Sequence, residues 1–265
     1  MAGGAGWTDD PAWVLQQARE RGAHAARERR DVPGARREKG WSWMKFKVNE
    51  VFHSIQGEGA RIGRPCLFIR LTGCPLRCTY CDTEYAFYDG SMRELDDLLD
   101  EVKRRLGPPV MGPSAPFVEL TGGEPLAHPQ ATELLRALLD LGYEVAVETA
   151  GSHDLAPVPR EVIKIVDRKT PGSGEAHRWL ETNLDHMVPG QDELKFVLCD
   201  QADYAWAKAW CAERQVWDRL EVLFSPVWGR LDPAWLAEQV VADGLPVRVQ
   251  MQLHKVIWGV EKKGV

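Results

Sequence analysis

Residues 73–83 read GCPLRCTYCDT, and they place Cys74, Cys78 and Cys81 within eight residues with no fourth cysteine in the stretch. A structural zinc site normally takes four protein ligands. Thiolates favour soft metals, and a compact all-cysteine loop can hold three corners of an iron–sulfur cube. Three ligands leave one iron without a protein ligand, open to a substrate or cofactor. The bland alternative is a zinc site of three cysteines and one histidine, with His53 as the candidate. Cys66, Cys199 and Cys211 read as buried or half-buried thiols of a strand and a helix.

The loop directly follows an apolar, β-branched run at 66–71. It therefore sits at the carboxyl end of a strand, where parallel α/β folds place their chemistry. Further strands are expected at 47–55, 117–120, 144–148, 162–166, 193–198, 220–224 and 247–250. Helices are expected at 92–105, 129–141, 202–214 and 233–243, with a shorter one at 174–183. Pro129 and Pro233 suit first helical turns, and Gly142 suits a helix end. Strands and helices in alternation imply parallel pairing with right-handed crossovers. About 220 patterned residues are few for a closed eight-unit barrel, so an α/β fold with an open, partial (β/α) TIM-like barrel is expected.

Residues 1–43 differ from the rest. They are rich in Arg, Ala and Gly and lack apolar periodicity after Leu15. A short helix over 11–21 is the one element they offer. The segment reads as a disordered extension or a misassigned start before Met44, with 44–265 as the catalytic domain. It carries eight Lys/Arg and six Asp/Glu, so a chain of net charge −6 keeps −8 beyond it. That balance excludes a broad nucleic-acid footprint. No apolar run approaches the roughly 20 residues that span a bilayer. Six cysteines in 265 residues do not make a disulfide scaffold. Their clustering argues for metal in a reducing compartment, and the protein reads as cytoplasmic.

The C-x3-C-x2-C spacing, with Tyr80 just before the last cysteine, resembles the cluster loop of the radical S-adenosylmethionine (SAM) superfamily. Residues 121–125, TGGEP, resemble that superfamily's GGEP segment and end the strand at 117–120. The resemblance implies an abridged barrel of the radical SAM type. It also implies a [4Fe–4S] cluster on Cys74, Cys78 and Cys81, whose open iron chelates S-adenosylmethionine. Residues 51–83, VFHSIQGEGARIGRPCLFIRLTGCPLRCTYCDT, narrow the choice. They are similar to the 7-carboxy-7-deazaguanine synthase family of queuosine precursor biosynthesis. That family converts 6-carboxy-5,6,7,8-tetrahydropterin to 7-carboxy-7-deazaguanine with loss of ammonia, using S-adenosylmethionine and Mg2+.

A reduced pterin shows N–H donors along one edge. Gln56, Glu58 and the backbone carbonyls of Ile55, Gln56 and Gly57 could read them. Arg70 could hold the substrate carboxylate with a two-pronged bond, or form a surface ion pair. The resemblance makes Thr83 the Mg2+ ligand, where the residues alone read as a helix N-cap. It places Thr121, Glu148 and His254 against substrate, although a solvated strand end and a structural histidine fit Glu148 and His254 equally. Around S-adenosylmethionine it places Tyr80, Cys81, Asp82, Gly122, Gly123, Glu124, Asp167, Lys169, Ser225 and Pro226. The two glycines lack a Cβ, which lets backbone approach a ligand. Asp167-Arg168-Lys169 stands where relatives carry Ser-Pro-Lys, so which of the three reaches the cofactor stays open. Ser225-Pro226 stands where relatives carry Gln-Pro.

The implied partners are the pterin, a flavodoxin or ferredoxin electron donor, and a second copy in a homodimer. No nucleic acid and no membrane are implied. A glycyl-radical-enzyme activase shares the cysteine loop and the GGEP turn, and a non-catalytic zinc module shares only the cysteines.

Overall fold

The computed structural model describes residues 44–108 and 115–265. The expectations for 1–43 lie outside the described residues. Nine strands form one sheet in the order β3-β1-β2-β4-β5-β6-β7-β8-β9. In chain order these are β1 (Lys45–Ile55), β2 (Pro65–Leu71), β3 (Ser91–Glu94), β4 (Phe117–Gly122), β5 (Glu144–Thr149), β6 (Ile163–Asp167), β7 (Glu193–Leu198), β8 (Glu221–Pro226) and β9 (Arg248–Val249). From β2 to β9 every neighbouring pair is parallel. β1 runs antiparallel to both β2 and β3. The nine-residue link between β1 and β2 is too short for a parallel crossover. The sheet's end strands do not pair with each other, as an open barrel requires.

Among the described residues five α-helices accompany it: α1 (Leu95–Leu106), α2 (Ala131–Asp140), α3 (Gln201–Arg214), α4 (Pro233–Asp243) and α5 (Leu253–Trp258). In α1 the apolar positions 95, 98, 99 and 102 are buried along one stripe. Asp96 and Asp97 lie in its first turn and Lys103, Arg104 and Arg105 in its last, complementing the helix dipole. The helix expected at 92–105 is shorter at its start: residues 91–94 extend beside β1 before α1 begins. Pro129 lies before α2 instead of inside it, whereas Pro233 does occupy the first turn of α4. Gly142 follows α2 with φ 88, a conformation that favours glycine.

The crossovers from β5 to β6 and from β6 to β7 contain no α-helix. The helix expected at 174–183 is two 3-10 turns, Ala176–Arg178 and Glu181–His186. Buried Asn183 takes over part of the bracing. Its amide accepts from Leu155 N at 3.1 Å and donates to Gly151 O at 2.9 Å and His153 O at 3.0 Å.

The strands alternate strictly. Leu67, Ile69, Leu71, Val118, Leu120, Val145 and Val147 face the helices in the main core. Their neighbours face the concave side: Cys66, Phe68, Phe117, Ala146, Ile163 and Ile165 make a small apolar plug there. The β1–β2 loop crosses this concave side. Arg61 pairs with Glu144 and Glu193 at 3.0 Å each, and Gly59 N donates to Gln250 Oε1 at 2.7 Å. This loop thus ties the β2 side of the open barrel to the chain after β9. No described helix is long and apolar enough to cross a membrane.

Candidate active site

Above the apolar plug, the concave face opens into a cavity of 690 Å³. Nearly every residue singled out in the sequence lines it: Ile55, Gln56, Gly57, Glu58, Arg70, Cys74, Cys78, Tyr80, Cys81, Asp82, Thr83, Thr121, Gly122, Gly123, Glu148, Asp167, Lys169, Ser225 and His254. Glu124 and Pro226 do not. Pro226 ends β8 opposite Leu198. The Glu124 carboxylate is turned into the protein, where it accepts from Thr149 Oγ1 and Ala150 N at 2.7 Å and Leu126 N at 3.0 Å. These bonds join β4 to β5 and turn the carboxylate away from the cavity lining, unlike the other residues expected around S-adenosylmethionine apart from Pro226.

One wall is the cysteine loop. The thiols line the cavity while Pro75, Arg77 and Thr79 between them are exposed. The protein itself sets the loop's shape. Gly73 N donates to Ala86 O at 2.8 Å and Thr79 N to Ser173 O at 3.0 Å. Arg77 Nη1 donates to Cys74 O and Leu76 O at 2.7 Å, and Arg230 Nη2 to Thr79 O at 2.7 Å. Burial pushes the Cys78 thiol up to about 11, against the pull of Lys169. A coordinating metal removes such a thiol proton outright. Among the described residues no three His, Cys, Asp or Glu side chains converge on one metal ion. A cube gives each thiolate its own iron and needs no such convergence. His53 is exposed on β1 and does not line the cavity, so it cannot complete a zinc site.

Packing within the protein also keeps Gly122 and Gly123 bare. A Cβ on Gly122 would meet Leu71 O at 2.6 Å, and one on Gly123 would meet Gly73 O and, at 2.7 Å, the Cβ of Cys74. The TGGEP turn therefore packs its backbone directly on the start of the cysteine loop.

The opposite side is a charged floor. Buried Lys195 on β7 pairs with Glu58 at 3.0 Å, with Glu148 in short contact, and with Asp167 at 4.0 Å. Burial opposes its charge, but Glu148, Glu58 and Asp167 outweigh it and hold its pKa well above the ordinary lysine value. Burial likewise opposes the charge of Glu58; Lys195 and Gln252 hold that carboxylate below its usual range. Glu119 on β4 is fully buried beneath this floor. Gln56 Nε2 donates to its Oε2, and Gln56 Oε1 accepts from Glu58 N at 3.0 Å, so the protein fixes the orientation of the Gln56 amide. Burial and then the Glu148 charge push the Glu119 carboxyl well above the usual range, and its Oε1 has no partner among the described residues.

Arg70 donates through Nε to Glu50 Oε1 at 2.8 Å, and the ring planes of Phe52 and Tyr85 flank its guanidinium. Both readings of Arg70 thus hold in part: the side chain is ion-paired, and its terminal nitrogens make no bond to the described residues. The 167–169 segment splits. Asp167 and Lys169 pair at 2.7 Å on the cavity wall. Arg168 is absent from that wall and lies among Trp179, Trp206 and Trp210, with ring centroids 4.8–5.3 Å away. Thr83 precedes a 3-10 turn without capping it; its hydroxyl donates to Asp82 Oδ1 at 2.8 Å. Asp82 also accepts from Lys255 at 2.6 Å, which ties α5 to the cysteine loop. His254 sits against Gly57, where any Cβ would strike its ring, and burial lowers its pKa.

The sequence reading missed Lys195, Glu119, Gln252 and Lys255. For the first two a signal existed. FVELTG and ELKFVL are central parallel strands, yet each carries a charge at a position whose alternation points to the concave side.

A model of the Radical SAM superfamily matches residues 68–171. The chain is 39% identical over 234 residues to a 7-carboxy-7-deazaguanine synthase of Koribacter versatilis (strain Ellin345), covering 83% of this chain and 100% of the relative. It is 40% identical over 222 residues to one of Chlorobaculum tepidum, covering 83% and 97%. Among solved structures, QueE from Escherichia coli matches with a TM-score of 0.64 at 25% identity, covering 80% of this chain and 95% of that one. A chain this similar over the whole length of its relatives belongs to their family, the 7-carboxy-7-deazaguanine synthases of the radical SAM superfamily.

Proposed function

We propose that this chain converts 6-carboxy-5,6,7,8-tetrahydropterin to 7-carboxy-7-deazaguanine with loss of ammonia, in 7-deazapurine and queuosine biosynthesis. One observation carries the reading: the three-cysteine wall and the carboxylate–Lys195 floor face the same cavity. Cys74, Cys78 and Cys81 would hold the [4Fe–4S] cluster, and the donor set fits it: three thiols on a preformed loop, with no fourth. Tyr80, Cys81, Asp82, Gly122, Gly123, Asp167, Lys169 and Ser225 would hold S-adenosylmethionine. When bound, the cluster and that cofactor supply the hydrogen-abstracting radical, which no protein side chain here could make.

The chain's own work is binding and orientation. Lys195 keeps Glu58 charged, and Glu58 and Glu148 accept from N–H groups on the pterin edge. The terminal nitrogens of Arg70 take the substrate carboxylate in a forked bond. Neutral His254 and Thr121 border the same space. The short β1–β2 loop, locked by Gln56 and Gly57, fixes where that edge lies. Thr83 offers a hard oxygen to Mg2+, which would steer the substrate carboxylate. Thr83→Ala should abolish the response of the rate to Mg2+; an unchanged response removes Thr83 from that role.

The partners follow from the chemistry. A one-electron donor protein, flavodoxin or ferredoxin, feeds the cluster. The enzyme works in the cytoplasm as a homodimer. Residues 44–265 form the catalytic domain. The test is anaerobic reconstitution with iron and sulfide, then incubation with the carboxypterin, S-adenosylmethionine and a reductant. Mass spectrometry should find the deazaguanine acid and no loss of S-adenosylmethionine. A chain that binds one zinc and forms no product would overturn the reading.

A further inference from the structure

The chain does not leave the molecule after α5. Gly259 ends that helix with φ 86, and residues 260–265 then run back along the cavity, every one of them lining it. The helix itself is fastened: Leu253 N donates to Gly57 O at 2.9 Å, and Lys255 pairs with Asp82 at 2.6 Å. The returning segment reaches the Arg70 end of the cavity. Gly264 adopts φ 66, a conformation that favours glycine, and a Cβ on it would lie 3.4 Å from Glu50 Oε2. Lys263 beside it sets its Nζ over the Tyr85 ring, 4.3 Å from the centroid. The same ring flanks the Arg70 guanidinium at 5.9 Å.

Without the segment, charge at this end is balanced. Glu50 and Arg70 face each other across β1 and β2 and pair at 2.8 Å, so together they carry no net charge. Tyr85 Oη donates to the same Glu50 oxygen at 3.0 Å and brings no charge. An arriving carboxylate thus meets donors on Arg70 but no surplus cation. Lys169, Lys195 and Lys255, elsewhere on the cavity, each pair with a carboxylate already. Lys262 and Lys263 line the cavity as well, and among the described residues neither pairs with a carboxylate, Glu261 of their own segment included. Of the two, Lys263 is the one held beside Tyr85.

Resting on the function proposed above, we propose that Lys263 is a second cation for the substrate carboxylate, which makes residues 260–265 one side of the substrate site. The two cations act differently. Arg70 offers a rigid fork of donors, and Lys263 adds a point charge on a flexible stem. The Tyr85 face keeps that ammonium at this end of the cavity while the site is empty. A site with a net positive charge here selects a pterin that carries an ionised group over one that lacks it.

The test uses the cluster-loaded full chain, kept anaerobic, with two probes: 6-carboxy-5,6,7,8-tetrahydropterin and 5,6,7,8-tetrahydropterin, which has no carboxylate. Direct titration gives both affinities. Lys263→Ala should weaken carboxypterin binding about tenfold, and Lys263→Glu should weaken it further, since a hydrogen bond between charged groups is lost. Lys263→Arg keeps the charge and should stay within about threefold of the parent. Affinities for tetrahydropterin and for S-adenosylmethionine should stay within about twofold of the parent in all three variants. Carboxypterin affinity indifferent to Lys263→Glu would overturn the assignment. Equal losses for the two pterins would overturn it too, because a segment that only covers the cavity does not distinguish them. Failure of the underlying reading would look different: the parent itself would bind neither pterin and form no deazaguanine acid. Lys263 is exposed, so the variants should melt with the parent; should one unfold, the other two still decide.

Discussion

The two sides of the cavity are built in opposite ways. The cysteine wall comes from eleven consecutive residues whose shape is held by hydrogen bonds from Arg77 and Arg230 and by the one that Thr79 N donates to the Ser173 carbonyl. The floor is assembled from four segments, since Glu58, Glu119, Glu148 and Lys195 are brought together only by sheet order. The wall's reactive groups are partly exposed thiols that contribute little to the fold. The floor's are buried charges that depend on one another. Function should therefore fail without unfolding on the wall, and with loss of stability on the floor.

The sharpest way to break this contrast is at the cysteines. Cys74→Ala, Cys78→Ala or Cys81→Ala should each abolish cluster assembly, read as iron and sulfide content, and lower 5′-deoxyadenosine release below detection. The melting temperature of the metal-free chain should hardly move. A large drop would mean that the loop supports the fold after all. Cys66→Ala, in the apolar plug, is the control and should keep its iron.

Lys195→Met attacks the floor. It leaves half-buried Glu58 and Glu148 without their cation; breaking a fully buried pair costs about 3–5 kcal/mol, and their partial exposure lowers that figure. Denaturant unfolding should register that loss while iron content after reconstitution stays near the parent's. Unchanged stability would mean that solvent already reaches these carboxylates.

Glu119→Gln sharpens the comparison through pH. The folded-state pKa of Glu119 is raised. Its contribution is therefore complete below the unfolded value of about 4.3 and is lost as pH rises through the folded one. The substituted amide cannot ionise, and its oxygen can still accept from Gln56. The variant should match the parent in melting temperature near pH 4 and exceed it progressively toward pH 8. A gap independent of pH would show that Glu119 does not titrate there.

The smallest effect is expected at Arg230→Ala. This exposed side chain gives the loop two bonds, to Thr79 O at 2.7 Å and Thr79 Oγ1 at 3.2 Å. Its loss should cost about 1 kcal/mol locally and shorten cluster lifetime in air, with global unfolding unaltered.

The same contrast explains what the sequence revealed. The wall was legible because its chemistry is contiguous: the spacing of Cys74, Cys78 and Cys81 survives in one dimension. The parallel order of β2 and β4–β8 was legible from apolar runs separated by helical ones. The pairing of Lys195 and of Glu119 was not: a charge on the inward face of a central strand signals a site, but its partners depend on the order of the sheet. The 174–183 segment misled for a related reason. Its polar residues satisfy their backbone through tertiary bonds, and Asn183 does so across two other turns. Local propensity could not see that. The bond from Gln56 to Glu119 was hidden as well, since the two lie 63 positions apart.

The bonds from Arg77 and Arg230 to the loop carbonyls have a consequence for the life of the enzyme. Zinc fingers fold only around their metal, and losing it destroys the binding site. Here the scaffold around the thiols is made of protein contacts, so an oxygen-damaged molecule remains a finished mould. It can be refilled by the cell's assembly machinery without passing through an unfolded state, and a single polypeptide can outlive many of the centres it carries.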